Sequence, residues 1–267
     1  MLASLFLAVA LLLFFGYFKG LFTSKPRTIP RPIITQEEGR AFPAEIIDLR
    51  NWKLTLPVVN PNDQSLPLDI QQPQLAQYRL SPWFDSTADN SGVVFRAPVN
   101  ASTTKNSDYP RTELREMNSD GTQEAFWPSK KGVHTMIIDE AITAVPKNKP
   151  AVVAGQIHGD DDDLLVIRLE DGKLRVTRSK QDVYTLDENY VLGKRFTVKF
   201  VASDGKISVY YNNGISPVFT LNKKVDLAYF KAGVYTQSNC ETEKDSNLCS
   251  ANNYGEVVIY KIKVTHQ

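Results

Sequence analysis

The 267-residue sequence lacks an excess of charge of either sign, and this limits the partners it can have. Its 31 lysines and arginines stand against 30 aspartates and glutamates, which leaves a formal net charge of +1. A nucleic-acid-binding domain normally carries a clear basic excess. We therefore expect no nucleic-acid partner, and an anionic partner of another kind must be bound by locally grouped charges.

Cysteine is nearly absent as well. The two cysteines, Cys240 and Cys249, flank a polar segment and form no CxxC motif or Cys/His cluster. In an oxidising compartment this pair would form a local disulfide, and two free thiols are the alternative. Neither interpretation requires a cofactor, and we predict no cofactor and no metal among the site residues.

Long apolar runs are missing except at the beginning of the chain, where Met1–Phe18 is almost unbroken. This run lies between a signal-peptide core and a membrane span in length. We interpret residues 1–22 as a signal peptide or an N-terminal membrane anchor, and we expect an exported protein that is secreted, periplasmic or attached to a membrane. Residues 23–41 are interpreted as a proline-rich linker and residues 42–267 as one folded domain, a length within the range of single all-β domains.

The folded part lacks sustained helical periodicity and internal repeats. Short alternating segments replace them, the clearest being residues 195–200 and residues 258–264, the latter with apolar side chains at 258, 260, 262 and 264. Asp171-Gly172 and Asp204-Gly205 each separate two such segments, which is a hairpin signal. Strand after strand without intervening helices predicts an all-β, antiparallel β-sandwich.

A paired-acid motif for glycoside hydrolysis is also missing. Sandwich-fold glucanases use an E-x-D-x-x-E arrangement for acid and nucleophile, and this sequence does not contain it. Hydrolysis by two carboxylates therefore lacks its catalytic groups.

Three strand-like segments do carry an unusual polar face. In Tyr109–Met117, alternation places Arg111, Glu113 and Arg115 on one face. In Ala151–Gly159, Gln156 and His158 project together from an otherwise apolar run, and both can donate hydrogen bonds to a carboxylate. In Tyr229–Gln237 the shared face comprises Tyr229, Lys231, Gly233, Tyr235 and Gln237, and Gly233 leaves a gap where a ligand could approach the backbone.

Each segment also has a plainer interpretation. The charged strand can be a solvated outer face with cross-strand ion pairs. A lone histidine is more often structural than catalytic, and the tyrosines can be core aromatics with a bonded hydroxyl. Together, however, the three faces hold cations, an amide, a histidine and tyrosines, which suits binding of a polyanion and transfer of a proton.

At these segments the chain resembles alginate lyases of polysaccharide lyase family 7. The family is marked by R-[ST]-E-L-R, Q-[IV]-H and Y-F-K-A-G-x-Y-x-Q, in that order, and the sequence has all three at residues 111–115, 156–158 and 229–237. The resemblance spans roughly residues 45 to 267. It implies a jelly-roll, concanavalin-like sandwich whose concave polar sheet forms the substrate cleft.

The resemblance also implies a mechanism, β-elimination at a uronate. Arg111, Gln156 and His158 would neutralise the substrate carboxylate, so that charge can develop on it after removal of the C5 proton. Tyr235 would be the acid that protonates O4 and, for one epimer, also the base. His158 would be the base for the other epimer, as in guluronate. The residues assigned to substrate binding and positioning are Glu113, Arg115, Lys231, Gln237 and Tyr229.

The partner implied is alginate or a related anionic polyuronate, bound by a monomer. Ile157, in the Q-I-H form of the motif, favours guluronate-containing stretches. The acidic run Asp160–Asp163 is interpreted as a solvated loop at the cleft rim, with calcium binding as the alternative. Two rival functions stay open at this point: a non-catalytic uronan-binding module, and a lyase acting on another polyuronate such as glucuronan.

Overall fold

The computed structural model of the protein describes residues 39–159 and 162–267. The signal peptide or anchor predicted for residues 1–22, all but the last residues of the predicted linker, and Asp160 and Asp161 lie outside the described residues. Within the described ranges, no helix combines the length and the apolar character that crossing a bilayer requires.

Strands make up most of the described chain. They are β1 (Trp52–Asn60), β2 (Asp63–Ile70), β3 (Phe84–Ser86), β4 (Val93–Pro98), β5 (Arg111–Glu116), β6 (Val133–Ala144), β7 (Ala151–Gly159), β8 (Asp162–Glu170), β9 (Lys173–Arg178), β10 (Gln181–Asp187), β11 (Phe196–Ser203), β12 (Lys206–Tyr211), β13 (Phe219–Asn222), β14 (Ala228–Thr236) and β15 (Tyr254–His266). The helical elements are single turns: α1 (Pro43–Ile46), a 3-10 helix (Gln74–Gln77) and α2 (Cys240–Glu243).

The strands form two antiparallel sheets that share one core. One sheet has the order β10-β9-β8-β7-β14-β5-β1-β2, and the other has the order β13-β12-β11-β6-β15-β4-β3. Leu114 and Phe230 of the first sheet belong to the same buried cluster as Phe95 and Phe200 of the second. The predicted all-β antiparallel sandwich is confirmed, and it has the jelly-roll fold.

The two predicted hairpin turns are confirmed. Asp171-Gly172 joins β8 to β9 and Asp204-Gly205 joins β11 to β12, and all four residues have positive φ. A two-residue turn of this kind matches the right-handed twist of the strands it connects, and aspartate followed by glycine tolerates the required backbone conformation.

Residues 258–264 belong to strand β15 as predicted, but their even-numbered side chains do not all face the core. The core takes Val257, Ile259 and Ile262 rather than the even-numbered residues throughout. A break in the pairing of β15 with β6 lies between Ile259 and Lys261. One extra residue in a strand moves every later side chain to the opposite face, and simple alternation counted along the sequence cannot show it.

The two cysteines are joined. Cys240 and Cys249 form a disulfide across the segment that contains α2, and the described residues contain no free cysteine. The disulfide interpretation of this pair is therefore confirmed, and two free thiols are excluded.

A buried carboxylate, Glu116, supports the centre of the first sheet from its core side. Glu116 is fully buried and accepts hydrogen bonds from the Trp127 indole nitrogen at 3.0 Å and from the Phe230 backbone nitrogen at 2.9 Å. Its second oxygen lies 2.6 Å from His266 Nε2. Glu116 thus connects β5, β14 and β15 on the core side of the sheet, which holds the polar side of β5 and β14 in place.

Glu140 on β6 is a second carboxyl directed into the sandwich. It is fully buried, and neither oxygen has a hydrogen-bond partner among the described residues. Burial, with a smaller effect of the neighbouring Asp139, raises the pKa of Glu140 to about 8. The folded protein therefore holds this carboxyl protonated at neutral pH.

We expect Glu140→Gln to remove a pH dependence of stability. Between the ordinary pKa of 4.5 and the folded pKa of about 8, the folded state binds a proton that the unfolded chain has released. The free energy of unfolding then falls with rising pH across this window, by up to about 1.4 kcal/mol per pH unit, and levels off above it. Denaturant unfolding at pH 5 and pH 8 measures this; an equal fall in parent and variant would contradict it.

Candidate functional site

The three polar-faced segments become neighbouring strands at the centre of one sheet. Strand β14 lies between β5 and β7, so residues from three distant parts of the chain are adjacent. In the register, Lys231 pairs with Arg115 on one side and with Gln156 on the other. Paired positions on adjacent strands are about 5 Å apart, so their side chains form one continuous surface.

The alternation predicted for β5 is confirmed. Leu114 belongs to the core, and Thr112 donates a hydrogen bond to the Arg96 carbonyl of the facing sheet at 2.6 Å. Arg111, Glu113 and Arg115 take the opposite face, but they are buried rather than solvated. The interpretation of this strand as a solvated outer face is therefore excluded.

Glu113 is the centre of this polar surface. Its side chain is 3% exposed, and one oxygen contacts Arg111 Nη1 at 3.0 Å and Lys231 Nζ at 2.8 Å. The Gln156 side-chain amide donates to the other oxygen. Burial opposes ionisation, but the charges of Lys231 and Arg111 outweigh it and hold the pKa of Glu113 below its ordinary value. One carboxylate thus orients three donors from three strands.

Lys231 is a largely desolvated cation of the group, with 12% of its side chain exposed. Burial lowers the pKa of Lys231 to about 8, and the attraction of Glu113 limits the shift. The ammonium group is therefore charged at neutral pH and loses its proton in mildly alkaline solution. A desolvated cation of this kind interacts strongly with an incoming anion.

His158 lies at one end of the cluster and is stacked on Tyr229, with ring centroids 5.2 Å apart. Its Nδ1 atom is buried without a hydrogen-bond partner among the described residues. Burial, assisted by the charge of Lys231, lowers the pKa of His158 to about 4. The imidazole is therefore neutral at neutral pH and able to accept a proton. Arg115 packs over the other ring of this stack, its Cζ 3.8 Å from the Tyr229 centroid.

Tyr235 lies at the other end. The Arg111 guanidinium packs over its ring with Cζ 3.9 Å from the centroid, and the hydroxyl is 2.8 Å from Ser107 Oγ. The cluster therefore places a neutral imidazole and a phenol on one sheet face, with buried cationic and amide donors between them. This arrangement suits proton abstraction and proton donation next to a bound carboxylate.

Comparison with known proteins agrees with this geometry. The family model described as "Alginate lyase" matches residues 47–266. The chain belongs to the alginate lyase family. The structure of alginate lyase AlgAT5 from polysaccharide lyase family 7 is 48% identical, with a TM-score of 0.78, and the match covers 85% of this chain and 99% of that one.

Two further solved structures extend this comparison. The alginate lyase from Corynebacterium sp. is 43% identical, with a TM-score of 0.79 and coverage of 86% of this chain and 100% of that one. The family 7 alginate lyase A1-II′ is 26% identical, with a TM-score of 0.66 and coverage of 85% and 97%. The A1-II′ structure is a variant with a histidine replaced by asparagine and a tyrosine by phenylalanine, in complex with substrate (GGMG).

Two residues of the lyase have surroundings that the sequence did not indicate. The side-chain oxygen of Gln237 accepts a hydrogen bond from Arg168 Nη1 at 2.8 Å, so Gln237 lies beside β8 and outside the Glu113 cluster. Gly233 has φ of +126°, and a Cβ there would lie 2.5 Å from the Thr112 carbonyl oxygen. Glycine is needed here because the β5 backbone approaches closely. The gap for a ligand on the polar face stays a prediction.

A pocket of about 270 Å³ opens beside the cluster and adds residues that the sequence analysis missed. Its lining includes Arg111, Arg115 and Lys231 together with Lys53 of β1. Lys53 Nζ contacts Asp69 at 3.1 Å and Glu124 at 2.8 Å. Lys53 stands in the sequence as a single charge in an ordinary strand, and only the pairing of β1 with β5 brings it to this surface.

Metal ligands are not grouped in the part of the lyase that the structure describes: no cluster of three or more His, Cys, Asp or Glu side chains could hold an ion there. Asp160 and Asp161, half of the acidic run considered for calcium, lie outside the described residues. Calcium binding by Asp160–Asp163 therefore stays untested, as does its interpretation as a solvated loop.

Proposed function

We propose that this lyase cleaves the 1,4-glycosidic bonds of alginate by β-elimination, acts on guluronate-containing stretches, and leaves unsaturated uronate ends. The observation that carries the proposal is the placement of a neutral His158 and the Tyr235 hydroxyl on one sheet face around a buried set of donors. Membership of the alginate lyase family supports the substrate class. The substrate complex of A1-II′, obtained with a histidine and a tyrosine replaced, supports assigning the reaction to these two residue types.

In the proposed reaction the donors act first. Arg111, Lys231 and the Gln156 amide bind the uronate carboxylate, which lowers the cost of developing negative charge on it as the C5 proton leaves. Because Glu113 already holds all three groups, they need little rearrangement when substrate arrives. The low pKa of His158 favours a role as base over one as a cation for the carboxylate.

The proton transfers then complete the elimination. His158 takes the C5 proton, the released electron pair forms the C4–C5 double bond, and the C4–O4 bond breaks. Tyr235 donates its proton to O4 of the departing sugar. No net proton is consumed, since the proton gained by His158 is returned through solvent to the phenolate.

The product itself distinguishes this proposal from its rivals. Elimination creates a conjugated double bond that absorbs ultraviolet light, whereas binding or hydrolysis does not. We expect absorbance to rise when the protein is mixed with alginate and not with glucuronan. Binding without any rise would favour a uronan-binding module, and a faster rise on glucuronan would favour a lyase for another polyuronate; the family match favours neither.

We expect His158→Asn to lower activity on one epimer of the polymer much more than on the other. On polyguluronate it should lower kcat roughly 10²- to 10⁴-fold, the range for loss of a general base. On polymannuronate the loss should be far smaller, because Tyr235 would serve there as both base and acid. The parent enzyme should lose activity on polyguluronate as the pH falls through about 4, where His158 becomes protonated. Equal losses on both polymers would contradict this assignment.

We further propose that the protein is exported and works as a monomer. The apolar run Met1–Phe18, as a cleaved signal or a retained membrane anchor, and the disulfide between Cys240 and Cys249 support export. A monomer is supported because strands of a single chain supply all the residues of the cluster.

A further inference from the structure

The hydroxyl of Tyr235 has a partner that the proposed reaction has not yet used. Ser107 lies in the segment between β4 and β5, and its Oγ is 2.8 Å from the Tyr235 hydroxyl. The side chain of Ser107 is partly buried, and its backbone nitrogen donates to the Thr104 carbonyl at 3.0 Å, which fixes the turn that carries it. The turn therefore holds the Ser107 side chain beside the Tyr235 hydroxyl.

The neighbours of Ser107 Oγ determine which hydroxyl donates in this hydrogen bond. Ser107 Oγ has three polar neighbours: the Tyr109 nitrogen at 3.2 Å, the Tyr109 carbonyl oxygen at 3.1 Å and the Tyr235 hydroxyl. The backbone nitrogen can only donate and the carbonyl can only accept. The single Ser107 proton is therefore directed to the carbonyl, and Tyr235 donates its own proton to Ser107. No other assignment satisfies all three contacts.

We propose that Ser107 is a positioning residue of the elimination, which stabilises the phenolate of Tyr235 by reversing the direction of their hydrogen bond. The inference rests on the proposed role of Tyr235 as the acid. Once Tyr235 has given its proton to O4, its oxygen can only accept. Rotation about the Ser107 Cβ–Oγ bond then turns the serine proton from the Tyr109 carbonyl to the phenolate.

The reversed hydrogen bond is stronger than the original one. A bond to an ionised acceptor is shorter and roughly twice as strong as one between neutral groups. The extra stabilisation arises only as Tyr235 loses its proton, so it lowers the barrier rather than tightening substrate binding. No covalent bond to Ser107 forms or breaks, and the serine proton stays on its own oxygen throughout.

We expect Ser107→Ala to lower kcat on alginate roughly ten- to hundredfold, as for the loss of a hydrogen bond to a charged group. KM should stay nearly unchanged. Ser107→Thr, which keeps a hydroxyl, should recover most of the lost rate, and Ser102→Ala in the same segment should behave like the parent. Rates are followed by ultraviolet absorbance on the full chain, with thermal unfolding measured for each variant.

A double variant tests whether Ser107 acts through Tyr235. In the Tyr235→Phe background, Ser107→Ala should cause no further loss of the residual rate, because the group it stabilises is gone. An unchanged kcat in Ser107→Ala, a change in KM alone, failure of threonine to restore the rate in a normally folded variant, or full additivity with Tyr235→Phe would each overturn the inference.

The same set of variants keeps the two proposals apart. If Tyr235→Phe is inactive while Ser107→Ala turns over normally, only the inference about Ser107 fails. If Tyr235→Phe itself keeps the parent rate, the proposed acid is wrong and the role of Ser107 falls with it.

Discussion

Replacing Tyr235 with phenylalanine should nearly abolish turnover of alginate, lowering kcat roughly 10²- to 10⁴-fold or more, while substrate binding stays close to normal. The phenyl ring retains its packing beneath the Arg111 guanidinium, 3.9 Å from Cζ to the centroid in the parent. What is lost is the proton for O4 and the hydrogen bond to Ser107. Because the donors around Glu113 are untouched, the substrate carboxylate should still bind.

Initial rates from ultraviolet absorbance give kcat, and calorimetric titration with an alginate oligosaccharide gives the affinity. Tyr210→Phe on β12 is a matched control, since this tyrosine lies on the other sheet and packs against Lys199. It should leave kcat unchanged. A Tyr235→Phe enzyme with near-normal kcat would rule out the tyrosine as the acid, and one that no longer bound substrate would show that the hydroxyl serves binding instead.

Replacing Glu113 with glutamine should damage stability and catalysis together. In the parent, Glu113 is 3% exposed and compensates both Arg111 and Lys231. Removing its charge leaves two buried cations side by side, and breaking a buried ion pair in this way costs about 3 to 5 kcal/mol of the free energy of unfolding. The three donors also lose their common acceptor, and a displacement of about 1 Å can lower the rate roughly 10²-fold.

Denaturant unfolding and kcat/KM on alginate measure the two effects. Glu124→Gln provides the matched control on the same surface, because Glu124 pairs with Lys53 and Arg115 but is 44% exposed. An exposed pair of this kind contributes at most about 1 kcal/mol. If Glu113→Gln were as mild as Glu124→Gln, Glu113 would not be the residue that organises the site.

Much of the site could be predicted because the segments that carry it are local. In Arg111–Arg115, Gln156–His158 and Tyr229–Tyr235, strand alternation alone places the polar side chains on one face, and the contacts of Glu113, His158 and Tyr235 agree with that placement. The two Asp-Gly hairpins are local in the same sense, since a two-residue turn depends on the residues within it.

The errors and omissions arose where a contact between distant parts of the chain determines the surroundings of a residue. The core-facing residues of β15 change side at a break in its pairing with β6. The close approach of the β5 backbone requires glycine at position 233, and the local sequence does not show this contact. Lys53 and Ser107 stand alone in the sequence, and they join the site only because β1 pairs with β5 and because the segment before β5 folds over Tyr235.

The sequence by itself determined the fold class, the family and the residue types of the reaction, because strand periodicity, tight turns and short motifs depend on near neighbours along the chain. The tertiary structure decided which groups touch and what state they are in. The pairing of β5, β14 and β7 brings Arg111, Lys231 and Gln156 to one carboxylate. Burial and neighbouring charge, neither of which is a property of a residue in isolation, make His158 neutral and lower the pKa of Lys231.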